Sequence, residues 1–405
     1  MNKIITTLTS LTLLALLGAC GGGGGSSEPS ESAAIKPACE VKGVSRIDIE
    51  TANGDPIASK ESYLNANVAL TDENGGVINF STQIRGRGNT TWNMPKKPYR
   101  LKMSESIGLL GMPAGQNWNL LANYSDKTLM RTAVAFCIAQ KLGMEWVPES
   151  KFVELTLNGE YDGLYQMTPH IEAGSNKANL GDGEGVKFLA EIDEPLDGDY
   201  PKTTNYGTKL IIKSKANPAA VEEIYEFIDE MESRLYLNED PWVLIDKKSL
   251  ANTYIVNELA RNVDAFYKST FFYKNTDYPV IFGPVWDFDI SMGNIDYNDA
   301  WLTDGFGIKH RGYVGAAFEI PEFDAEVRAQ WKIIQDIFPS LLVYIDSQSK
   351  VLGKAQKRNF ERWDILDIYV WPNQKVTGDY DLEVQYLKDW LSARFTWLDT
   401  QYKSN

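Results

Sequence analysis

Strand-like alternation dominates the first half of the chain. Val44 to Glu50, Tyr63 to Leu70 and Val77 to Ile84 alternate or are β-branched and are broken by Asn53-Gly54 and Asn74-Gly75-Gly76, which predicts three strands and their turns. Tyr99 to Met103 predicts another, with Arg100 and Lys102 on one face. Lys151 to Leu157 and Gly163 to Thr168 predict a strand pair around Asn158-Gly159, and Phe188 to Ile192 a further strand. Between these, Asn117 to Tyr124 reads as the approach to a helix that Ser125 or Asp126 can cap and Gly143 closes. In that helix Leu129, Ala133, Phe136 and Cys137 face the core, and Lys127 and Arg131 share the polar side. The helical period then takes over. Asn217-Pro218 opens a helix with Val221, Ile224, Tyr225, Ile228, Met231 and Leu235 on one face. Leu250, Tyr254, Ile255, Leu259 and Val263 form the face of the next helix, which stops at Asp264. Ser269 to Lys274 and Pro279 to Phe282 predict two strands around Asn275-Thr276-Asp277. Ala329 to Phe338, Leu341 to Leu352 and Leu382 to Tyr402 predict closing helices. The expectation is an α+β fold, a mixed sheet region followed by a helical C-terminal part, in one domain spanning 41–405.

The chain has 405 residues, 43% hydrophobic and 12% aromatic, enough for a sizeable core. A net charge of −15 argues against nucleic acid as a partner. With only His170 and His310, a histidine zinc site or a Ser-His-Asp hydrolase has little support. The start of the chain reads as a targeting segment. Met1-Asn2-Lys3 is positive, and Ile4 to Leu17 is apolar but too short to span a bilayer. Leu17-Gly18-Ala19-Cys20 resembles a bacterial lipoprotein signal. That likeness implies a signal peptide over 1–19, lipidation of Cys20 and membrane attachment through it, in the cell envelope. Gly21 after the cysteine favours the outer membrane. Gly21 to Ala34 reads as a flexible tether, within a linker region of 20–40. Cys39 and Cys137 are free to form a disulfide in an oxidising compartment, and a buried free thiol at Cys137 is an equal expectation.

Candidate chemistry gathers between Asn257 and Asn294. Asp264 stands at a helix end. Trp286-Asp287-Phe288-Asp289 places two acids just past a hairpin. Magnesium-dependent phosphoryl transfer needs such a layout, with one acid to orient the attacking hydroxyl and others to hold metal on the phosphates. Upstream, Arg85-Gly86-Arg87-Gly88-Asn89-Thr90-Thr91-Trp92 combines glycines that let a backbone approach a ligand with arginines that can grip phosphate. It lacks the spacing and Gly-Lys-Ser/Thr ending of a Walker loop. Pro95-Lys96-Lys97-Pro98-Tyr99-Arg100-Leu101-Lys102 adds further cations.

These stretches resemble the spore-coat protein H (CotH) kinase family. The matching residues are the run Ile84 to Lys102, the Asn123-Tyr124 to Lys127 region, Asn257-Glu258, Asn262, Asp264, Ser269, Phe271 to Lys274, Gly283 to Asp289 and Gly293-Asn294. The resemblance implies an atypical protein-kinase-like fold that moves the γ-phosphoryl of ATP, with Mg2+, to a protein Ser or Thr. It implies Asp264 as catalytic acid and Asp287 as metal ligand, with Asp289 or Asn294 beside it. Arg85, Arg87, Lys97, Lys102, Lys127 and Arg131 form the pool of phosphate-binding cations. One departure stands out: after Gly163-Leu164-Tyr165 the family usually has a glutamate, and this chain has Pro169-His170. If that glutamate pairs with a nucleotide lysine, its role is lost or moves to Glu172 or Glu191. A non-catalytic module of the same fold that binds protein, glycan or a divalent ion is the alternative, and a carboxylate-pair glycosidase is a third reading.

Overall fold

The computed structural model describes residues 35–194, 200–214 and 218–403. The expected signal peptide, Cys20, the tether to Ala34 and the Asn217 cap lie outside the described residues. Seven strands close into a barrel: β1 (Val44–Thr51), β2 (Leu64–Thr71), β3 (Val77–Gly86), β4 (Tyr99–Ile107), β5 (Gly115–Leu121), β6 (Lys151–Leu157) and β7 (Glu160–Pro169). The order is β1-β2-β3-β4-β5-β7-β6. All neighbours are antiparallel except β1 and β6, whose parallel pairing closes the ring and removes the free edge. Alternation explains the interior. Ile47, Ile49, Val68, Leu70, Ile84, Leu101, Trp118, Leu120, Val153, Leu155 and Met167 all point inward and are buried. The barrel is therefore filled with side chains and is not a channel.

Gly115–Leu121 is a strand, not the approach to a helix. Trp118 and Leu120 are wholly buried within the barrel, and this tertiary burial decides the conformation. The helix α1 (Arg131–Lys141) starts later than expected and has no polar side, since every residue from Arg131 to Ala139 is buried. Asp126 still serves it from outside, accepting from the Arg131 backbone N–H at 2.8 Å.

A second antiparallel sheet has the order β12-β11-β8-β10-β9. It contains β8 (Phe188–Ile192), β9 (Pro201–Thr203), β10 (Lys209–Ile212), β11 (Thr270–Lys274) and β12 (Ile281–Phe282). The two short strands β9 and β10 carry no alternation long enough to be read from sequence. The helices are α2 (Pro218–Leu237), α3 (Lys247–Ala260), α4 (Gly312–Phe318), α5 (Pro321–Arg362) and α6 (Tyr380–Tyr402). The two helices expected on either side of Pro339 are one helix of 42 residues, α5. Proline lacks an N–H and usually breaks a helix. Here Phe338, Leu341, Tyr344 and Ile345 keep one buried face in register across it. At 1.5 Å per residue α5 is about 63 Å long, and it packs against α1, α3, α4, α6 and β7.

Two devices join these parts. Cys39 and Cys137 form a disulfide that ties the N-terminal segment to α1. Lys96 is 1% exposed and donates to the Ala122 carbonyl at 2.8 Å, the Leu164 carbonyl at 2.5 Å and Asn359 Oδ1 at 2.9 Å. Its ammonium lies 4.5 Å from the Tyr165 ring centre. Burial pulls its pKa down to about 7, against the opposing charge of Asp162. Residues from Ile35 onward group as one compact unit.

Candidate active site

Helix α3 is capped by Asp246, which accepts from Ser249 N–H at 2.6 Å. Its side chains from Leu250 to Ala260 are buried, and it ends at Arg261 in the left-handed conformation (φ 48). Glu258, part of the motif, is buried and does not line the cleft formed by the aspartates. It accepts from the Gly307 and Ile308 amides at 2.6 and 2.9 Å and pairs with buried Arg394 of α6. The chain then turns at Asp264, whose carbonyl accepts from Tyr267 and Lys268 N–H.

Asn262 joins this turn to the second acid. Its Oδ1 accepts from Asp264 N–H at 3.2 Å, and its Nδ2 donates to the Asp287 carbonyl at 3.2 Å and to Asn257 Oδ1 at 3.1 Å. One amide thus sets the spacing of the two acid-bearing segments. Ser269 Oγ donates to Asp287 Oδ2 at 3.3 Å. Phe266, Ser269 and Asp287 all hold positive φ (60, 48 and 66). Such strain in residues with a Cβ persists only where the surroundings over-determine it, and it concentrates at functional sites.

Asp264, Asp287 and Asp289 line one cleft of about 440 Å³ with Arg87, Glu191, Asp193, Glu194, Lys268, Ser269, Trp286, Tyr297 and Trp371. The carboxylates are short of counter-charge. Burial, then the charges of Asp287, Asp126 and Asp264, push Asp289 up to about 8. Burial and the Asp287 charge raise Asp264 to about 6, with Lys268 and Arg311 opposing. Asp287 lines the cleft with its side chain open to solvent, although protein packs densely around it. Burial raises it too, against Arg87 and the Ser269 hydrogen bond. The Arg87 guanidinium lies 5.8 Å from a Trp286 ring centre, and its Nε has no hydrogen-bond partner among the described residues.

Among the described residues no three His, Cys, Asp or Glu side chains come together as a metal site by themselves. The donor set still fits magnesium, which takes one or two carboxylates and completes its shell with water and substrate phosphate. Asp287 and Asp289 are hard oxygen donors whose ionisation is opposed by burial, and a cation would reverse that cost.

Of the cations predicted to bind phosphate, Arg87 reaches the cleft and Arg85, Lys97, Lys102, Lys127 and Arg131 do not line it. Arg85 bonds the Lys60 carbonyl and lies over Tyr63, as does Lys102. Lys97 donates to the Trp92 carbonyl at 2.7 Å. Lys127 donates to the carbonyls of Leu366 and Ile368 at 3.2 and 2.7 Å. Arg131 is buried against Asp126 at 2.5 Å. Asn294 is also not a cleft ligand, because its amide is fully engaged. It donates to the Ser125 and Asp289 carbonyls at 3.0 and 2.7 Å and accepts from Asn373 at 2.8 Å. It holds the backbone of Asp289 rather than a metal.

Of the two candidate glutamates, Glu172 pairs with Lys177 at 2.6 Å outside the cleft. Glu191 lines the cleft and pairs with Lys213 at 2.7 Å. His170 Nδ1 accepts from Arg100 at 3.0 Å, and burial with the charges of Arg100 and Arg87 holds its pKa well below the ordinary histidine range. It is a neutral acceptor there. Sequence reasoning missed Lys268, Asp193, Glu194 and the Trp371 wall. Lys268 lay inside the motif and was legible by its place four residues after Asp264. Trp371, far along the chain, carried no local signal.

The raised Asp289 pKa has a consequence for stability. An aspartate with a folded pKa near 8 and an unfolded value of 3.8 binds more protons folded than unfolded between those limits, so stability falls as pH rises through that window. Asp289→Asn removes the ionisation. In thermal melts it is expected to exceed wild type in Tm at pH 8, with the gap closing as pH is lowered towards 4. An unchanged gap would disprove the assignment.

A family model described as CotH kinase protein matches residues 84–398, from β3 into α6 and across every cleft residue named above. No curated protein gives a significant match to the chain.

Proposed function

Because the chain belongs to the CotH kinase protein family, we propose that this cleft transfers the γ-phosphoryl of ATP to a Ser or Thr hydroxyl of a protein. The observation that carries this is the set of three carboxylates, Asp264, Asp287 and Asp289, lining one cleft with a guanidinium whose Nε has no partner among the described residues. Asp264 accepts the proton of the acceptor hydroxyl as its oxygen bonds to the γ-phosphorus. The bond from that phosphorus to the β–γ bridging oxygen breaks, and ADP leaves. A pKa of about 6 leaves Asp264 ionised yet basic at neutral pH. Asp287 and Asp289 would hold magnesium, which when bound would neutralise charge on the phosphates. Arg87 and Lys268 supply cationic contacts to the same phosphates. Asn262 keeps Asp264 and Asp287 at fixed separation, which is what positional catalysis requires.

The protein is further proposed to act in the bacterial cell envelope, held through a lipid on Cys20. Support comes from Leu17-Gly18-Ala19-Cys20 and from the Cys39–Cys137 disulfide, a bond that persists in oxidising compartments. The test is calorimetry of the full chain with ATP and Mg2+, each alone and together, followed by transfer of labelled γ-phosphate. Binding of ATP that requires magnesium, with label on Ser or Thr, is expected. A folded protein that binds no ATP would end this reading.

A further inference from the structure

The loop between α5 and α6 presents three large apolar side chains to solvent beside the cleft. Ile368 is 52% exposed, Tyr369 53% and Trp371 47%. Trp371 also lines the cleft, where its ring stacks on Tyr297 at 5.9 Å and 7°. Tyr369 OH donates to Asp296, the neighbour of Tyr297, at 2.6 Å. The patch is thus continuous with the cleft wall. It is also held rigidly from behind. Lys127 donates to two of its carbonyls, and Asn373 donates to Ser125 O at 2.7 Å and to Asn294 Oδ1 at 2.8 Å while accepting from Val370 N–H. Residues that looked like phosphate and metal ligands in the sequence instead brace this surface. Exposed aromatic and aliphatic groups on a pre-ordered backbone are the usual anchors of a recognition site, since little ordering entropy opposes binding.

We propose that Ile368, Tyr369 and Trp371 form the docking platform for the acceptor polypeptide, receiving an apolar or aromatic side chain close in sequence to the hydroxyl that enters the cleft. This rests on the kinase reading. Position favours a polypeptide, because Trp371 belongs both to the patch and to the cleft lining, so a segment whose hydroxyl enters the cleft meets the patch directly. Charge disfavours a membrane: Asp296 accepts from Tyr369, Asp364 and Asp367 of the same loop are exposed, and the chain carries −15. Those carboxylates repel anionic lipid and suit a neutral or basic segment.

The test uses the full chain and a set of fluorescent Ser-centred peptides in which one flanking position at a time is Trp, Leu, Ala or Asp. Binding is read by anisotropy, independently of catalysis, and magnesium-ATP binding is read separately by calorimetry. Wild type should prefer Trp or Leu at a fixed offset from Ser. Ile368→Asp, a side chain outside the cleft, should weaken those peptides roughly tenfold or more while leaving the Ala peptide and ATP binding unchanged. In a transfer assay the same variant should raise KM for the apolar peptides and leave kcat alone. No offset preference, or a preference that Ile368→Asp retains, overturns the platform. Loss of vesicle binding or of self-association in the variant, with peptide binding intact, assigns the patch to a membrane or a second copy and likewise overturns it. Failure of ATP binding in wild type, by contrast, removes the kinase reading itself.

Discussion

Asp264→Asn is expected to bind ATP and magnesium as wild type does and to lose about 10²–10⁴-fold in phosphoryl transfer, the usual contribution of a positioned proton acceptor. The substitution keeps the shape of the side chain, and the backbone contacts to Asn262, Tyr267 and Lys268 involve main-chain atoms that it leaves in place. What it removes is the proton acceptor. The pH profile gives the sharper result. In wild type Asp264 titrates near 6, so transfer should rise with pH through that value as the carboxyl ionises. The residual activity of the variant should lack that limb. A variant that keeps both the rate and the limb would assign the proton to another group in the cleft, with Asp193 the first to examine.

Asp287→Asn is expected to abolish magnesium-dependent ATP binding in calorimetry. Asparagine retains the tolerance of left-handed backbone that φ 66 demands, and it can still accept from Ser269, so a folded protein should result. The lost charge has a second readout. The Asp287 carboxylate is the largest charge raising both Asp264 and Asp289. Its removal should bring the Asp264 titration below 6, and an NMR titration of labelled aspartates reads this without activity. Retention of magnesium-dependent binding would mean that Asp289 alone suffices as the protein ligand.

The strands and helices with clean periods were legible, because β1, β2, β6, β8, α2, α3 and α6 bury one face or one continuous run and show it in sequence. The failures share one physical origin. Asn117 to Tyr124 read as the approach to a helix, yet Asn119 is itself buried in β5. Ala329 to Phe338 and Leu341 to Leu352 read as two helices, yet packing on both sides of Pro339 carries one helix through. For the site, the three aspartates and Arg87 were legible as a motif, and the cleft unites them. Lys127, Arg131 and Asn294 lie off the cleft lining for the same reason in each case. A charged or amide side chain next to a motif looks available in sequence, and the structure instead uses it to satisfy buried backbone or a buried partner. Only contacts over long sequence separations, such as Lys127 with Ile368, decide that.

Lys96 sets where the molecule can be divided. Its ammonium is satisfied jointly by Ala122 just past β5 and Leu164 within β7 and by Asn359 of α5, and Asn359 in turn accepts from Leu164 N–H at 3.0 Å. A fragment that kept the barrel and discarded α5 would leave a buried cation one acceptor short and a strand amide unpaired. A fragment that kept the helices would expose the face of α5 that packs against β7. The barrel is therefore not an excisable module to be shuffled between proteins, although its ring of strands closes on itself. Its boundary with the helices is written in polar bonds that neither side can complete alone.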